Sequence, residues 1–106
     1  MKRDPVHDLE HFAPVFAALG DETRLTLLRR LAKEGKLPVV RLLEGTGLTR
    51  QALTKHLRLL ENVGLITGER AGRDLVFGPA PFQLKRASAL LRHLARWSAF
   101  RVTART

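Results

Sequence analysis

The sequence predicts a mainly α-helical domain with one small β-hairpin, a winged helix-turn-helix in the order α-α-α-α-β-β-α. Three observations carry this. Two short helical stretches meet across Gly45-Thr46-Gly47, the hydrophobic period changes from helical to two after Gly64, and one long amphipathic stretch closes the chain. The 106 residues suit a single domain filling 1–106, with a core modest enough that a partner subunit would help. Hydrophobic residues are 44% and charged residues 27%, a globular balance that argues against wholesale disorder.

The first helix is expected over residues 9–19, its regular part starting near Phe12 because Pro14 fits best in a first turn. Gly20 ends it. Asp21 then caps a second helix whose apolar face is read as Leu25, Leu28, Leu31 and Ala32, with Arg29, Arg30 and Lys33 near its negative dipole end. Gly35 stops that helix. Pro38 opens a short third one through Val39, Val40, Leu42 and Leu43, and Thr49 caps a fourth over residues 50–63 that Gly64 closes. Residues 65–70 and 73–77 alternate as strands around an Ala71-Gly72 turn. After the break at Gly78-Pro79-Ala80-Pro81, a last helix runs from Phe82 to about Phe100. Its stripe is Leu84, Ala87, Leu91, Leu94 and Ser98, with Leu90 and Trp97 beside it. The ends of the chain, the first seven residues and the last five or so, read as frayed.

Charge narrows the function. The net charge is +9 and the sequence pI about 11.5. Residues 1–49 carry eight basic and seven acidic side chains; residues 50–106 carry eleven and three. A basic field confined to one half is the footprint of a polyanion partner, double-stranded DNA first and an anionic membrane second, although an Arg-rich soluble chain also has this composition. No cysteine is present, which excludes a disulfide framework, thiolate metal sites, cysteine catalysis and thiol redox sensing. The longest apolar run, Phe12 to Leu19, is eight residues and holds Pro14, too short to span a bilayer. A soluble cytoplasmic protein without a membrane partner is the expectation.

The fourth helix separates its faces. Leu53, Leu57 and Leu60 point inward with Ala52, Leu59 and Val63 alongside, and Arg50, Gln51, Thr54, Lys55 and Arg58 lie opposite. All five are hydrogen-bond donors and none is acidic, whereas an ordinary solvated helix face mixes Glu with Lys. Arg matches guanine O6 and N7, Gln matches adenine N6 and N7, and Thr or Lys can hold phosphate or a base edge. Arg70 and Arg73 bracket the hairpin tip, where guanidinium groups reach phosphate or a narrow minor groove. A charged hairpin tip is also routine for solubility, so it supports the helix without standing alone. His56, between the two faces, suits a hydrogen bond to backbone or phosphate better than catalysis.

Two stretches, Ala17-Ala18-Leu19-Gly20-Asp21-Glu22-Thr23-Arg24-Leu25 and Leu48-Thr49-Arg50-Gln51-Ala52-Leu53-Thr54-Lys55-His56-Leu57-Arg58-Leu59-Leu60, resemble the ArsR/SmtB-type bacterial repressors. So do Gly64-Leu65-Ile66 and Gly72-Arg73, and the likeness covers about residues 12–100. The resemblance implies a homodimeric repressor on a palindromic operator, with Thr49, Arg50, Gln51, Thr54 and Lys55 at the recognition-helix positions and Arg73 in the wing. It also implies that the first and last helices form the dimer interface, which would place Phe12 and Phe16 there with Leu84, Leu91, Leu94 and Trp97. The long apolar stripe of the last helix points the same way.

The departures concern metal. Many members sense metals through a Cys-x-Cys near the third helix, where this chain has Leu37-Pro38-Val39-Val40-Arg41-Leu42. Others use Asp, His and Glu on the last helix, which here offers His93 and no acidic residue. No cofactor is therefore expected, and the inducer is not legible. The minority alternative is a site built from His7 and His11, four residues apart on a helix, joined by His93 across a dimer. No enzyme reading survives: Ser88 and Ser98 lack an acid-base pair, and no Gly-rich phosphate loop is present. The remaining alternatives are a protein-docking winged helix, a non-specific nucleic-acid binder, and a membrane binder through the Arg-rich last helix.

Overall fold

The computed structural model describes residues 8–104. Helix α1 (Leu9–Leu19) buries Phe12, Val15 and Ala18 at a spacing of three. It starts at Leu9 rather than near Phe12, so Pro14 lies inside the helix and offers no N–H to the carbonyl of Glu10. Packing on both sides of the proline outweighs that local cost, since Phe12 and Val15 are both fully inside.

In α2 (Glu22–Glu34) the Asp21 carboxylate accepts the Arg24 backbone N–H at 3.0 Å, the expected cap. The expected apolar face needs correction. Leu25 is 48% exposed and Ala32 is exposed, while Leu27, Leu28 and Leu31 are buried. At about 100° per residue, the row that shares one side with Leu28 and Leu31 is Arg24, Leu27, Leu28, Leu31. An arginine therefore sits where the simple hydrophobic count placed a leucine.

Strand β1 (Leu37–Pro38) was not anticipated, because two residues show no alternation. It pairs antiparallel with β3, Leu37 opposite Phe77 and Pro38 opposite Val76, and Pro38 also caps α3 (Val39–Leu43). Gly45 and Gly47 both have positive φ in the turn that follows, a conformation open to glycine without strain. Thr49 accepts the Ala52 N–H at 3.1 Å and starts α4 (Arg50–Asn62), whose Leu53, Leu57 and Leu60 are completely buried. Leu59, expected alongside them, is exposed instead.

Strands β2 (Ile66–Ala71) and β3 (Asp74–Pro79) form the hairpin, and the sheet order is β1-β3-β2. Ala71 pairs with Asp74, which makes Gly72-Arg73 the turn rather than Ala71-Gly72. The reason is backbone conformation: Gly72 has φ +66°, suiting the first turn position of a two-residue hairpin loop. Phe77 and Ile66 join the core beneath. The Lys36 ammonium meets Glu69 at 2.7 Å, its stem lying close over Gly78.

Helix α5 (Pro81–Ala104) is longer than expected at both ends, 24 residues or about 36 Å. Pro81 takes the first position, where a missing N–H costs nothing. Among its described side chains, Ala87 and Leu90 alone are buried. Beyond them Leu91, Leu94, Trp97, Phe100 and Val102 stand in solvent, Trp97 at 49% and Phe100 at 67% exposure. Phe12, expected at a subunit interface, is 1% exposed and spends its ring on the protomer's own core; Phe16 and Leu84 are partly buried against that core. The uncovered apolar surface is thus the C-terminal half of α5. No helix among the described residues is long and apolar enough to cross a membrane.

Candidate nucleic-acid interface

The buried leucine row of α4 turns the opposite face outward. Thr49, Arg50, Gln51, Lys55 and Arg58 are exposed and Thr54 is half-buried. Arg70 and Arg73 are exposed on the hairpin, Arg73 within its turn. The side chains of Arg50, Lys55, Arg70 and Arg73 have no hydrogen-bond or ion-pair partner among the described residues, whereas Arg30, Lys36 and Arg41 are matched to Glu34, Glu69 and Glu44. Unneutralised cations thus stand on α4 and the wing, and a second set, Lys85, Arg92, Arg96 and Arg101, stands along α5 with no such partner among the described residues. The N-terminus of α4 adds its positive dipole end and N–H groups to the outer face of that helix.

Two of the expected contact residues already have internal partners. The Thr49 hydroxyl oxygen accepts the Ala52 N–H as a cap, which leaves its own O–H to donate. Arg58 donates to Glu61 at 2.6 Å, and its guanidinium lies 5.4 Å from the centroid of the Phe77 ring. It faces the wing of its own chain.

His56 also has an internal partner. Its Nδ1 lies 3.2 Å from Arg24 Nη1 and 3.9 Å from Asp21 Oδ2, so this ring nitrogen bonds to a side chain, Arg24, rather than to backbone. Arg24 donates to Nδ1, which leaves the ring proton on Nε2. The same guanidinium donates to the carbonyls of Ala18 at 2.8 Å and Ala17 at 3.4 Å. One side chain thereby satisfies the last turn of α1 and ties it to the middle of α4. The Arg24 backbone N–H, and then the Arg24 charge, hold the Asp21 carboxyl below the usual carboxylate range. The sequence did hold a signal for Arg24, since it falls in line with Leu27, Leu28 and Leu31.

Gln83 was not anticipated either. Its amide donates to the Val63 carbonyl at 2.7 Å and lies 3.0 Å from His11 Nε2, fastening the start of α5 to α1 and the end of α4. Of the three histidines in the minority metal reading, His11 has this partner, His93 lies edge-on to Trp97 at 6.1 Å, and His7 lies outside the described residues. Among the described residues, no three or more His, Cys, Asp or Glu side chains are grouped to hold a metal ion.

A helix-turn-helix domain family matches residues 19–69, from the end of α1 to the middle of β2. The chain is 42% identical over 65 residues to the HTH-type transcriptional regulator NmtR of Mycobacterium tuberculosis, covering 61% of this chain and 53%, about half, of that protein's length. Among solved structures it is similar to a homodimeric winged helix-turn-helix DNA-binding domain from Mycobacterium bovis, with a TM-score of 0.68, 26% identity, and 91% of this chain and 88% of that one covered. It is also similar to an ArsR-like transcriptional regulator from Rhodococcus sp. RHA1, at 33% identity and a TM-score of 0.74, with 92% of each chain covered. Sharing the winged helix-turn-helix architecture along nearly its whole length, and a third of its residues with such a regulator, the chain belongs to the ArsR family of helix-turn-helix transcriptional regulators.

Proposed function

We propose that the protein is a homodimeric, sequence-specific DNA-binding repressor of the cytoplasm that occupies a palindromic operator and has no catalytic activity. The observation that carries this is the outer face of the first turns of α4, where Arg50, Gln51 and Lys55 stand exposed, together with Arg70 and Arg73 of the wing, which have no partner among the described residues. The helix is the size of a major groove, its side chains match base edges, and the wing cations suit phosphate. Dimerisation through α5 would place two such helices on one face of a duplex, with α1 contributing through residues other than Phe12. The homodimeric state of the similar Mycobacterium bovis domain supports dimerisation.

Selection of bound sequences from a random duplex pool, followed by footprinting, tests the reading. The expected result is one inverted repeat with half-sites about one helical turn, ~34 Å, apart. Protection of no defined sequence would favour a protein-docking module or a non-specific nucleic-acid binder.

DNA release is expected to be independent of transition metals at the family's usual positions. Thiolates are absent, α5 carries no carboxylate, and His93 alone cannot complete a three- or four-ligand site. Operator titrations with chelator, then with added zinc or nickel, should superimpose. A large shift that disappears in a His7→Ala, His11→Ala variant would establish the histidine site instead.

A further inference from the structure

We infer that Glu61 is a positioning residue that sets the pose of the wing against α4, with Arg58 as its internal partner rather than a DNA contact. This rests on the DNA-binding reading above. Three ties meet at one point. Glu61 Oε1 accepts from Arg58 Nη1 at 2.6 Å, Glu61 Oε2 accepts the Gly68 backbone N–H at 3.1 Å, and the Arg58 guanidinium covers the buried Phe77 ring. Gly68 and Phe77 are themselves cross-strand partners in the hairpin. The carboxylate therefore ties the last turn of the reading helix to β2 directly and, through Arg58, to Phe77 of β3.

Gly68 makes the approach possible. A Cβ at this position would lie 2.7 Å from Phe77 Cε1 and 2.8 Å from Glu61 Oε2. The Phe77 ring is fully buried and has no room to retreat, so a side chain at position 68 would push the wing off the helix. From this contact β2 runs outward through Arg70 to Ala71, about 10 Å at strand rise, before the turn that carries Arg73. Both wing cations thus ride on a lever whose fixed point is the Glu61–Gly68 bond. The rest of the hairpin is held independently by the β1–β3 pairing and by Phe77 and Ile66 in the core, so loss of Glu61 loosens the angle of the wing without unfolding it.

General electrostatics gives the opposite expectation. Deleting a carboxylate beside a DNA-binding surface removes repulsion and, were Arg58 a phosphate contact, would free it to bind. A Glu61→Ala variant is instead expected to bind the selected operator more weakly, on the order of tenfold or more, with the salt slope of log affinity reduced by up to about four units, two wing cations from each protomer. Arg70→Ala, Arg73→Ala should produce a similar loss, and adding it to Glu61→Ala should change little further. Glu61→Gln, which keeps an acceptor for the Gly68 N–H, should stay within about threefold of the parent protein. Helix content by circular dichroism and dimer mass by sedimentation should be unchanged in all of them. Glu61→Ala binding as tightly as the parent, or losses that multiply when the variants are combined, would overturn the positioning role. Absence of duplex binding by the parent protein would overturn the DNA reading itself, and this inference with it.

Discussion

Replacing Arg50 or Gln51 with Ala is expected to weaken operator binding by about 1–3 kcal/mol and to relax the preference at individual base pairs. These two side chains stand exposed in the first turn of α4, one helix face away from the buried Leu53 and Leu57. A bidentate contact to a base edge discriminates because the wrong base leaves donors unmatched in a groove that has lost its water. Arg73 makes the useful contrast. It sits in the hairpin turn, so Arg73→Ala should weaken operator and unrelated duplex alike and lower the salt slope by about two units, one for each protomer. Titrations of both duplexes at three salt concentrations separate the two behaviours. Full discrimination retained by the Arg50 and Gln51 variants would remove α4 as the reader.

The second large effect concerns assembly. A Leu91→Glu, Leu94→Glu variant should be monomeric at micromolar concentration and should lose ~100-fold or more in affinity for a full palindrome, because the second half-site is no longer bound intramolecularly. Both leucines lie beyond Leu90, where α5 leaves the protomer core, and they are 52% and 43% exposed in the isolated chain. Trp97 and Phe100 continue that apolar surface, and carboxylates buried within it would be left without partners. Sedimentation of both proteins, paired with titrations of half-site and full-site duplexes, reads the result. A parent protein that sediments as a monomer and still binds the palindrome tightly would end the proposal.

Long-period features were legible in the sequence, and short-range backbone features were not. The α4 leucine row repeats often enough to fix both faces of its helix. The caps at Asp21 and Thr49 were legible because a side-chain oxygen before a helical run has a single local use. β1 escaped because its two residues acquire meaning only through pairing with Val76 and Phe77 some forty positions later. The hairpin turn was misplaced by one residue because Ala71-Gly72 and Gly72-Arg73 both satisfy composition, and only the φ of Gly72 separates them. Within the candidate site, the exposed donors were visible as a pattern, but the internal engagement of Arg58 and His56 was not. Each depends on a neighbour, Glu61 or Arg24, whose own charge looked like ordinary surface.

The brevity of β1 bears on how the molecule behaves in a crowd of its own copies. Pro38 has no N–H to extend the ladder, so the short strand blocks one side of β3 only at Val76 and Phe77 and goes no further. On the other side of the sheet, the outer edge of β2 is open, and an open edge is a template on which a foreign strand can add. That edge carries Glu69 and Arg70 in succession, with Glu69 held ionised by the hydrogen bond and charge of Lys36. A second wing docking there would have to strip water from both charges and displace the lysine. The strand therefore guards against fibre-like association with the same polar residues that border the proposed DNA contacts, and neutralising Glu69 and Arg70 together would expose that edge to aggregation.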